Sequence, residues 1–208
     1  MRSSNSYSEL TRRRYDRVAP FYDFLESPME WLRFAPWRAR LRDHVTGERA
    51  LEAGVGTGKN LVWYPSDIEI TAIDISPHML DRARKKANML GLNTKLVEMD
   101  VQDLAFPDQF FDTVFATFVF CSVPDPVQGL RELRRVCKPG GTLILLEHVR
   151  PDGSFLGPLF DFFNPIVVRL VGSNINRNTS KNIRKAGWRI QKEEHLSSDI
   201  VQWIEAEP

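Results

Sequence analysis

The segment ALEAGVGTGKNL, residues 50–61, places an acidic residue before three glycines at alternate positions. Glu52 is followed by Gly54, Gly56 and Gly58, and then by Lys59. Glycines at this spacing let the backbone turn sharply and approach a ligand closely, and the N–H groups of a following helix can bind an anion. The segment therefore predicts a loop that binds a nucleotide or a nucleotide-like cofactor.

Two common nucleotide-binding motifs fit this loop incompletely. The phosphate-binding loop of ATPases requires a glycine where Ala53 stands and a hydroxyl side chain where Asn60 stands. The dinucleotide fingerprint requires a third glycine at the position of Lys59. An acidic residue before three alternate glycines instead fits a loop whose cofactor has no pyrophosphate.

Two more acidic residues end predicted strands further along the chain. Asp74 ends the run EITAID, twenty residues after Gly54, where a carboxylate can bind ribose hydroxyls. Asp100 ends the run TKLVEMD. NAD enzymes use the same device as Asp74, so this residue alone does not identify the cofactor, and a strand-end acid without a ligand is the alternative interpretation.

The segments that position these residues alternate between strand and helix patterns. We predict strands near 48–53, 69–76, 94–100, 111–119 and 141–149, helices over 77–90, 125–137 and 178–187, and a terminal antiparallel pair at 188–196 and 199–208. This alternation predicts an α/β fold with a doubly wound, mostly parallel, seven-stranded sheet. Such sheets bind ligands beyond the carboxyl ends of their strands.

These motifs together resemble those of class I S-adenosylmethionine (SAM) methyltransferases. EAGVGTG resembles the first motif of that family, FDTVFATFVFCSVPDP its fourth-strand motif, and LRRVCKPGGTLILLEH the motif before its fifth strand, in the right order over about residues 48–150. The resemblance implies a Rossmann-like fold with an N-terminal helical lid. It also implies SAM as the cofactor and S-adenosylhomocysteine as its product.

The resemblance implies roles for individual residues at the cofactor. Glu52 would accept a hydrogen bond from the methionine ammonium, Asp74 would bind the ribose, and Asp100 would bind the adenine amine. The complete set of predicted cofactor-binding residues is Tyr22, Glu52, Gly54, Gly56, Thr57, Gly58, Asn60, Asp74, Ile75, Met79, Asp100, Val101, Thr117 and Phe118.

The segment RYDRVAPFYD, residues 14–23, resembles the N-terminal signature of quinone-ring C-methyltransferases and of bacterial phospholipid N-methyltransferases, which methylate phosphatidylethanolamine. Its Tyr15 and Tyr22 share one helix face, where aromatic rings attract cations, although packing of a lid helix is the alternative. LEHVRP, residues 146–151, and the segment 172–188 resemble the phospholipid group more. Tyr22 and His148 are the predicted catalytic residues, and His148 would take a proton from the acceptor ammonium.

The predicted substrate-binding residues are Tyr15, His148, Asn176 and Arg177, with Arg177 on the lipid phosphate. A scaffold role for His148 and ordinary loop chemistry for Asn176 and Arg177 are the alternatives. The predicted activity is N-methylation of phosphatidylethanolamine, in one or several steps towards phosphatidylcholine. The alternatives are a quinone-precursor C-methyltransferase, a small-molecule or thiol methyltransferase, and a SAM-binding regulator without turnover.

Composition limits the partners. The chain has 208 residues, 42% hydrophobic and 26% charged, with a net charge of +1, which predicts one domain over 1–208 and no nucleic-acid partner. We predict no metal, because no His/Cys cluster has ligand spacing. Two cysteines in apolar stretches and an N-terminus without a signal-peptide core predict a cytoplasmic protein.

Two segments outside the cofactor core are predicted to face lipid, namely the helical lid 1–45 and a substrate-facing insertion, 151–177. MEWLRFAPWRARLR, residues 29–42, interleaves Trp31, Phe34 and Trp37 with arginines that include Arg38 and Arg42, a pattern that favours an anionic lipid surface. The apolar run 155–172 is broken by prolines and charges, so it would lie in the interface or line an acyl slot. Core packing is the alternative for both segments. We expect peripheral association with the inner face of the membrane.

Overall fold

The computed structural model describes residues 8–13, 15–17, 34–148, 174, 177–197 and 200–208. Its sheet has seven strands in the order β3-β2-β1-β4-β5-β7-β6. They are β1 (Arg49–Ala53), β2 (Glu69–Asp74), β3 (Lys95–Glu98), β4 (Phe111–Thr117), β5 (Cys137–His148), β6 (Arg189–Ser197) and β7 (Val201–Glu207). Strands β1 to β5 are parallel, and β7 is antiparallel to both β5 and β6. The predicted doubly wound, mostly parallel sheet with an antiparallel terminal pair is therefore confirmed.

Helices cover both faces of the sheet. They are α1 (Ala35–Ala39), α2 (Leu41–His44), α3 (Pro77–Met89), α4 (Pro126–Val136) and α5 (Thr179–Lys185), with a 3-10 turn at Leu61–Trp63. An N-terminal helical segment, described at 8–13 and 15–17, is called the lid helix below. Three helices begin where a side chain caps the N-terminus: Ser76, Asp125 and Asn178 each accept a hydrogen bond from the residue three positions later.

The alternation of side chains along the central strands decides which face each functional residue occupies. Leu51 of β1 and Leu145 of β5 pack in the core cluster that contains residues of α4 and α5. Ala50 and Leu146, one position away in each strand, pack in the opposite cluster with Leu41 of α2. Residue 52 of β1 therefore points to the α1–α2 face, and residue 147 of β5 points to the α4–α5 face.

Strands β2 and β3 are shorter than the sequence predicts, and the largest differences concern β4 and β5. Strand β4 ends at Thr117 rather than at residue 119, because Phe118 adopts a left-handed conformation with φ 58° that breaks the extended ladder. Strand β5 begins at Cys137, where we had predicted the end of a helix. A break in the β4–β5 register between Phe111 and Thr113 accommodates Gly140, which has φ 77°.

Candidate active site

The glycine loop lies where β1 and β4 are neighbours and the order of the strands reverses, which is where sheets of this kind bind ligands. Gly54, Gly56 and Gly58 all have left-handed backbones, with φ 70°, 56° and 81°. A Cβ on Gly54 would lie 2.4 Å from Cγ2 of Val119, whereas a Cβ on Gly56 would meet nothing within 4 Å. The loop after β1 therefore packs against the loop after β4 at Gly54 and leaves open space at Gly56.

Glu52 is buried below this loop, and both its oxygens accept hydrogen bonds from the protein. Asn60 Nδ2 donates to Oε1 at 2.6 Å, and the Tyr64 hydroxyl donates to Oε2 in a short contact. Burial raises the pKa of Glu52 to about 7, against the hydrogen bonds from Tyr64 and Asn60. A cofactor ammonium at Glu52 must therefore share the carboxylate with Tyr64 and Asn60.

Arg38 of α1 completes this network from the other side. Its Nη1 donates to Asn60 Oδ1 at 2.8 Å and to Thr117 Oγ1 at 2.5 Å, and its guanidinium lies 5.2 Å from the centre of the Phe118 ring. Only 5% of Arg38 is exposed, and Phe34 is also buried. The prediction that these two residues face lipid is therefore wrong, because α1 packs their side chains against the sheet.

Asp74 lies at the carboxyl end of β2, beside the glycine loop. The backbone N–H of Gly56 donates to its Oδ2 at 2.8 Å and that of Ser76 to its Oδ1 at 2.9 Å. Burial raises the pKa of Asp74 to about 6, although these backbone hydrogen bonds oppose the shift. Its neighbour Ser76 donates to Asp16 of the lid helix at 2.6 Å, which brings the lid close to the predicted ribose site.

A cavity of about 270 Å³ opens between the lid helix and the carboxyl ends of β2 and β3. Asp100 borders it, and the backbone and side-chain N–H groups of Gln102 donate to the Asp100 carboxylate at 2.9–3.1 Å. Gln102 also donates to Ser8 of the lid helix at 2.9 Å. The residues that line the cavity are Ser8, Glu9, Arg12, Ile75, Glu98, Met99 and Asp100. Most of this lining is polar or charged, but Ile75 and Met99 offer an apolar surface for a purine base, and the Asp100 carboxylate can accept a hydrogen bond from its amine.

The remaining predicted cofactor residues surround these groups with their backbones or side chains. Thr57, Asn60 and Thr117 are buried beside the glycine loop and β4. Val101 packs in the core on the α4 side, and Met79 is buried in the first turn of α3. These last two residues can therefore contribute through the backbone more readily than through their side chains.

An aromatic cluster stands on the α1 side of the strand ends. The His148 ring lies 4.6 Å from the Phe118 ring and 5.9 Å from the Phe34 ring, measured between ring centres. Phe34 and Phe118 are themselves 4.8 Å apart. His148 is thus held among aromatic rings at the carboxyl end of β5.

The predicted substrate residues contact the loop between β4 and α4, residues 118–125, which we call the β4–α4 loop. The Tyr15 hydroxyl of the lid helix lies 2.5 Å from Ser122 Oγ. Arg177 Nη2 donates to the Val123 carbonyl at 2.9 Å. The structure thus brings Tyr15 and Arg177 to one loop, while His148 lies on the opposite face of β5. Tyr22 and Asn176 lie outside the described residues.

Sequence reasoning missed several residues that the structure places in this region. They are Arg38, Tyr64, Met99, Gln102 and Ser122. Arg38 did carry a signal, because it shares a helical face with Phe34, Leu41 and Val45, all of which are buried. An arginine on an apolar helix face needs buried polar partners.

These features together fit the cofactor that the sequence motifs imply. The space at Gly56 leaves room for a ligand close to the backbone. Glu52 is a buried carboxylate and Asp74 a partly buried one, both have raised pKa values, and a cationic ligand would stabilise their charged forms. The cavity beside Asp100 can accept the adenine.

Comparisons with known proteins agree with this description. Residues 51–145 match the family described as "Methyltransferase domain". The chain is 41% identical to the phosphatidylethanolamine N-methyltransferase of Cereibacter sphaeroides over 71% of this chain and 70% of that protein. It is 33% identical to the demethylmenaquinone methyltransferase of Deinococcus radiodurans over 77% and 69% of the two chains.

A solved structure shares the fold. It is a SAM-dependent methyltransferase from Thermotoga maritima, described as a possible histamine N-methyltransferase, with a TM-score of 0.71, 21% identity, and coverage of 94% of this chain and 98% of that one. The fold and the site define a Rossmann-like methyltransferase. With the sequence relatives at 41% and 33%, the chain belongs to the class I SAM-dependent methyltransferases.

Two further findings concern only the described residues. None of their helices has the length and apolar character needed to cross a membrane. No group of three or more of their His, Cys, Asp and Glu side chains is arranged to hold a metal ion.

Proposed function

We propose that this methyltransferase transfers methyl groups to the amine of phosphatidylethanolamine, in one or several steps towards phosphatidylcholine. The observation that carries the proposal is the 41% identity to a phosphatidylethanolamine N-methyltransferase over more than two thirds of both chains. The described residues supply two features that support it. A guanidinium, Arg177, lies beside the β4–α4 loop, and an aromatic cluster suited to cations surrounds His148.

On the cofactor side, Glu52 and Asn60 would hold the amino-acid end of SAM, Asp74 its ribose, and Asp100 its adenine. Bound SAM supplies an electrophilic methyl group, and the new N–C bond forms as the C–S bond breaks and its electron pair stays on sulfur. The protein contributes by aligning the acceptor and by excluding water, since alignment alone can supply much of the rate enhancement.

On the acceptor side, the amine must lose a proton before it can react. Tyr15, Ser122 and Arg177 lie around the β4–α4 loop, whereas His148 lies among aromatic rings on the opposite face of β5, so its role as proton acceptor remains a prediction. Tyr22 and Asn176 remain predictions on the acceptor side.

A second candidate is C-methylation of a quinone precursor, which the 33% identity to a demethylmenaquinone methyltransferase favours. The two activities differ in the charge of the acceptor. Phosphatidylethanolamine brings an ammonium and a phosphate, whereas a quinone precursor brings a ring with no phosphate, so the Arg177 guanidinium would have a phosphate to bind only in the first case.

An assay with radiolabelled SAM separates the two candidates. The protein is incubated with mixed vesicles that contain phosphatidylethanolamine and demethylmenaquinone kept reduced as the quinol by added dithionite, and the extracted lipids are separated. Label in the phosphatidylethanolamine-derived fraction supports the proposal. Label confined to the quinone fraction would replace it with the second candidate.

Peripheral association with an anionic membrane surface belongs to the same proposal, because the acceptor is a membrane lipid. The apolar run 155–172 and Trp31 lie outside the described residues, so they remain predictions here. Arg42 of α2 is exposed, and Arg40 is held by Glu194 at 2.8 and 3.1 Å. A test of lipid docking should therefore alter Arg42 and leave Arg38 intact.

A further inference from the structure

Glu147 is a fully buried carboxyl group at the carboxyl end of β5. Its Oε1 accepts hydrogen bonds from the backbone N–H groups of Val119 at 2.8 Å and Phe120 at 3.0 Å. Oε1 therefore holds the start of the β4–α4 loop in place through two hydrogen bonds, and Oε2 has no hydrogen-bond partner among the described residues.

Arg177 presents a matching donor beside the same loop. Its Nη2 is bonded to the Val123 carbonyl, but its Nε is buried and has no hydrogen-bond partner. Within the described part of the chain, Glu147 Oε2 and Arg177 Nε are the two buried side-chain polar atoms that lack a partner. The Glu147 charge also raises the pKa of Arg177 against the effect of burial, so the two groups act on one another.

An unsatisfied buried polar atom costs about 1–3 kcal/mol, and folded proteins keep few of them. Here Glu147 Oε2 is a hydrogen-bond acceptor on an anionic group, and Arg177 Nε is a donor on a cationic group. Both lie beside the β4–α4 loop, which the lid helix contacts through Tyr15. A ligand that carries both an ammonium and an anionic oxygen has the groups that these two atoms lack. The ethanolamine phosphate headgroup has this chemistry.

We infer that Glu147 Oε2 receives the acceptor ammonium and takes its proton, while Arg177 binds the phosphate of the same headgroup. The inference rests on the proposed function and assigns Glu147 a role in it. In the proton transfer, an N–H bond of the ammonium breaks and an O–H bond forms on Glu147. The carboxylate becomes a carboxylic acid, and the lone pair left on nitrogen is available for the new N–C bond.

The environment of Glu147 suits this role. Burial raises its pKa to about 7, which is the range in which a general base works best near neutral pH. The charged or titratable groups that act on this site are Arg38 from α1, Cys121 and Asp125 from the β4–α4 loop, and Arg177. Because Glu147 is fully buried, the amine can reach it only after the residues that cover it move.

The test measures headgroup binding without cofactor, and then turnover. Titration calorimetry follows glycerophosphoethanolamine binding to the wild type, to Glu147→Gln and to the control Glu69→Gln, an exposed residue at the start of β2. Glutamine keeps a carbonyl oxygen for the N–H groups of Val119 and Phe120. We expect Glu147→Gln to bind the headgroup at least about tenfold more weakly, and to bind SAM within about twofold of the wild type.

On phosphatidylethanolamine vesicles, Glu147→Gln should lower kcat at least about thirtyfold at pH 7 and recover part of it at pH 9, where more amine is already neutral. A folded Glu147→Gln with wild-type headgroup affinity and wild-type kcat overturns the inference. If that variant does not fold, headgroup binding by the wild type alone tests the inference. It should bind glycerophosphoethanolamine at least about tenfold more tightly than glycerophosphoglycerol, which lacks the amine, and equal affinities overturn the inference.

The same experiment separates two kinds of failure. If the wild type transfers label only to demethylmenaquinone, the proposed function is wrong. The amine site inferred at Glu147 is then wrong as well. If the wild type labels phosphatidylethanolamine but Glu147→Gln behaves like Glu69→Gln in both binding and turnover, only the role of Glu147 is wrong.

Discussion

Arg38 links three residues that the sequence motifs had assigned to the cofactor. It donates to Asn60 and Thr117, and Asn60 in turn donates to Glu52. Its positive charge also lowers the pKa of Glu52 against the effect of burial. The guanidinium therefore fixes the orientation of the Asn60 amide and balances part of the buried carboxylate charge.

We expect Arg38→Met to weaken SAM binding by about tenfold or more, because the change removes the Arg38 donor from Asn60 Oδ1 and Thr117 Oγ1 and leaves Glu52 without a compensating charge. Titration calorimetry measures the affinity. The matched control is Arg42→Met in α2, an exposed arginine four residues away, whose affinity should stay within about twofold of the wild type. Equal affinities for the two variants would contradict the role given to Arg38.

The sequence predicted the cofactor-binding carboxylates but not the place of Arg38 beside them, and the reason is physical. Glu52 and Asp74 follow from local rules, because their distance from the glycines is set by one strand–turn–helix unit. Arg38 lies outside that unit, and its position depends on how α1 packs against the sheet. Its alternation with aromatic residues pointed to lipid, whereas its spacing from Phe34 and Leu41 pointed to the core.

At the scale of elements, the loop after β1 packs directly against the loop after β4. Gly54 meets Val119 so closely that no Cβ fits between them, and Phe118 holds a left-handed turn beside them. The strand prediction that continued to residue 119 followed the apolar run, which does not reveal a single left-handed residue. The strands themselves were predictable because their apolar runs are long, whereas their ends depend on contacts between loops.

A pair of glycine substitutions separates the cost of the contact from the cost of the backbone. Gly54→Ala and Gly140→Ala both force a left-handed alanine, which costs about 1–2 kcal/mol. Only Gly54→Ala also creates a clash, since a Cβ on Gly140 meets nothing within 4 Å. Chemical denaturation should show Gly54→Ala less stable than Gly140→Ala by about 1–3 kcal/mol. Equal destabilisation would mean that the two loops separate easily.

At the scale of the whole molecule, three carboxyl groups with raised pKa values lie at the carboxyl edge of one sheet, two of them fully buried and Asp74 partly buried. Burial raises the pKa of Glu52 and of Glu147 from 4.5 to about 7, and that of Asp74 from 3.8 to about 6. They come from β1, β5 and β2, so the concentration of acid at this edge depends on the strand order. The sequence predicts the strands, but the shared burial of these acids appears only when the sheet is assembled.

These shifts predict how the stability of the cofactor-free protein depends on pH. A carboxyl group whose pKa is higher in the folded state contributes stability that is complete below its unfolded pKa and is lost as the pH rises through its folded pKa. The window therefore runs from about pH 4.5 to about pH 7 for the two glutamates and from about pH 4 to about pH 6 for Asp74, and each group loses on the order of 3 kcal/mol across it. Groups with lowered pKa values, such as Asp112 and Glu132, act below this window.

Urea denaturation at intervals between pH 5 and pH 8 measures the effect. The free energy of unfolding should fall as the pH rises, and Glu52→Gln should fall less steeply because one of the three groups no longer ionises. The control Glu69→Gln, an exposed residue, should follow the wild type. Added SAM, a cation at its sulfonium, should stabilise the protein more at pH 8 than at pH 5, because it favours the ionised carboxylates. A wild-type stability that rises steadily across this window would refute the assignment of these buried acids, since ionisation would then favour the folded state.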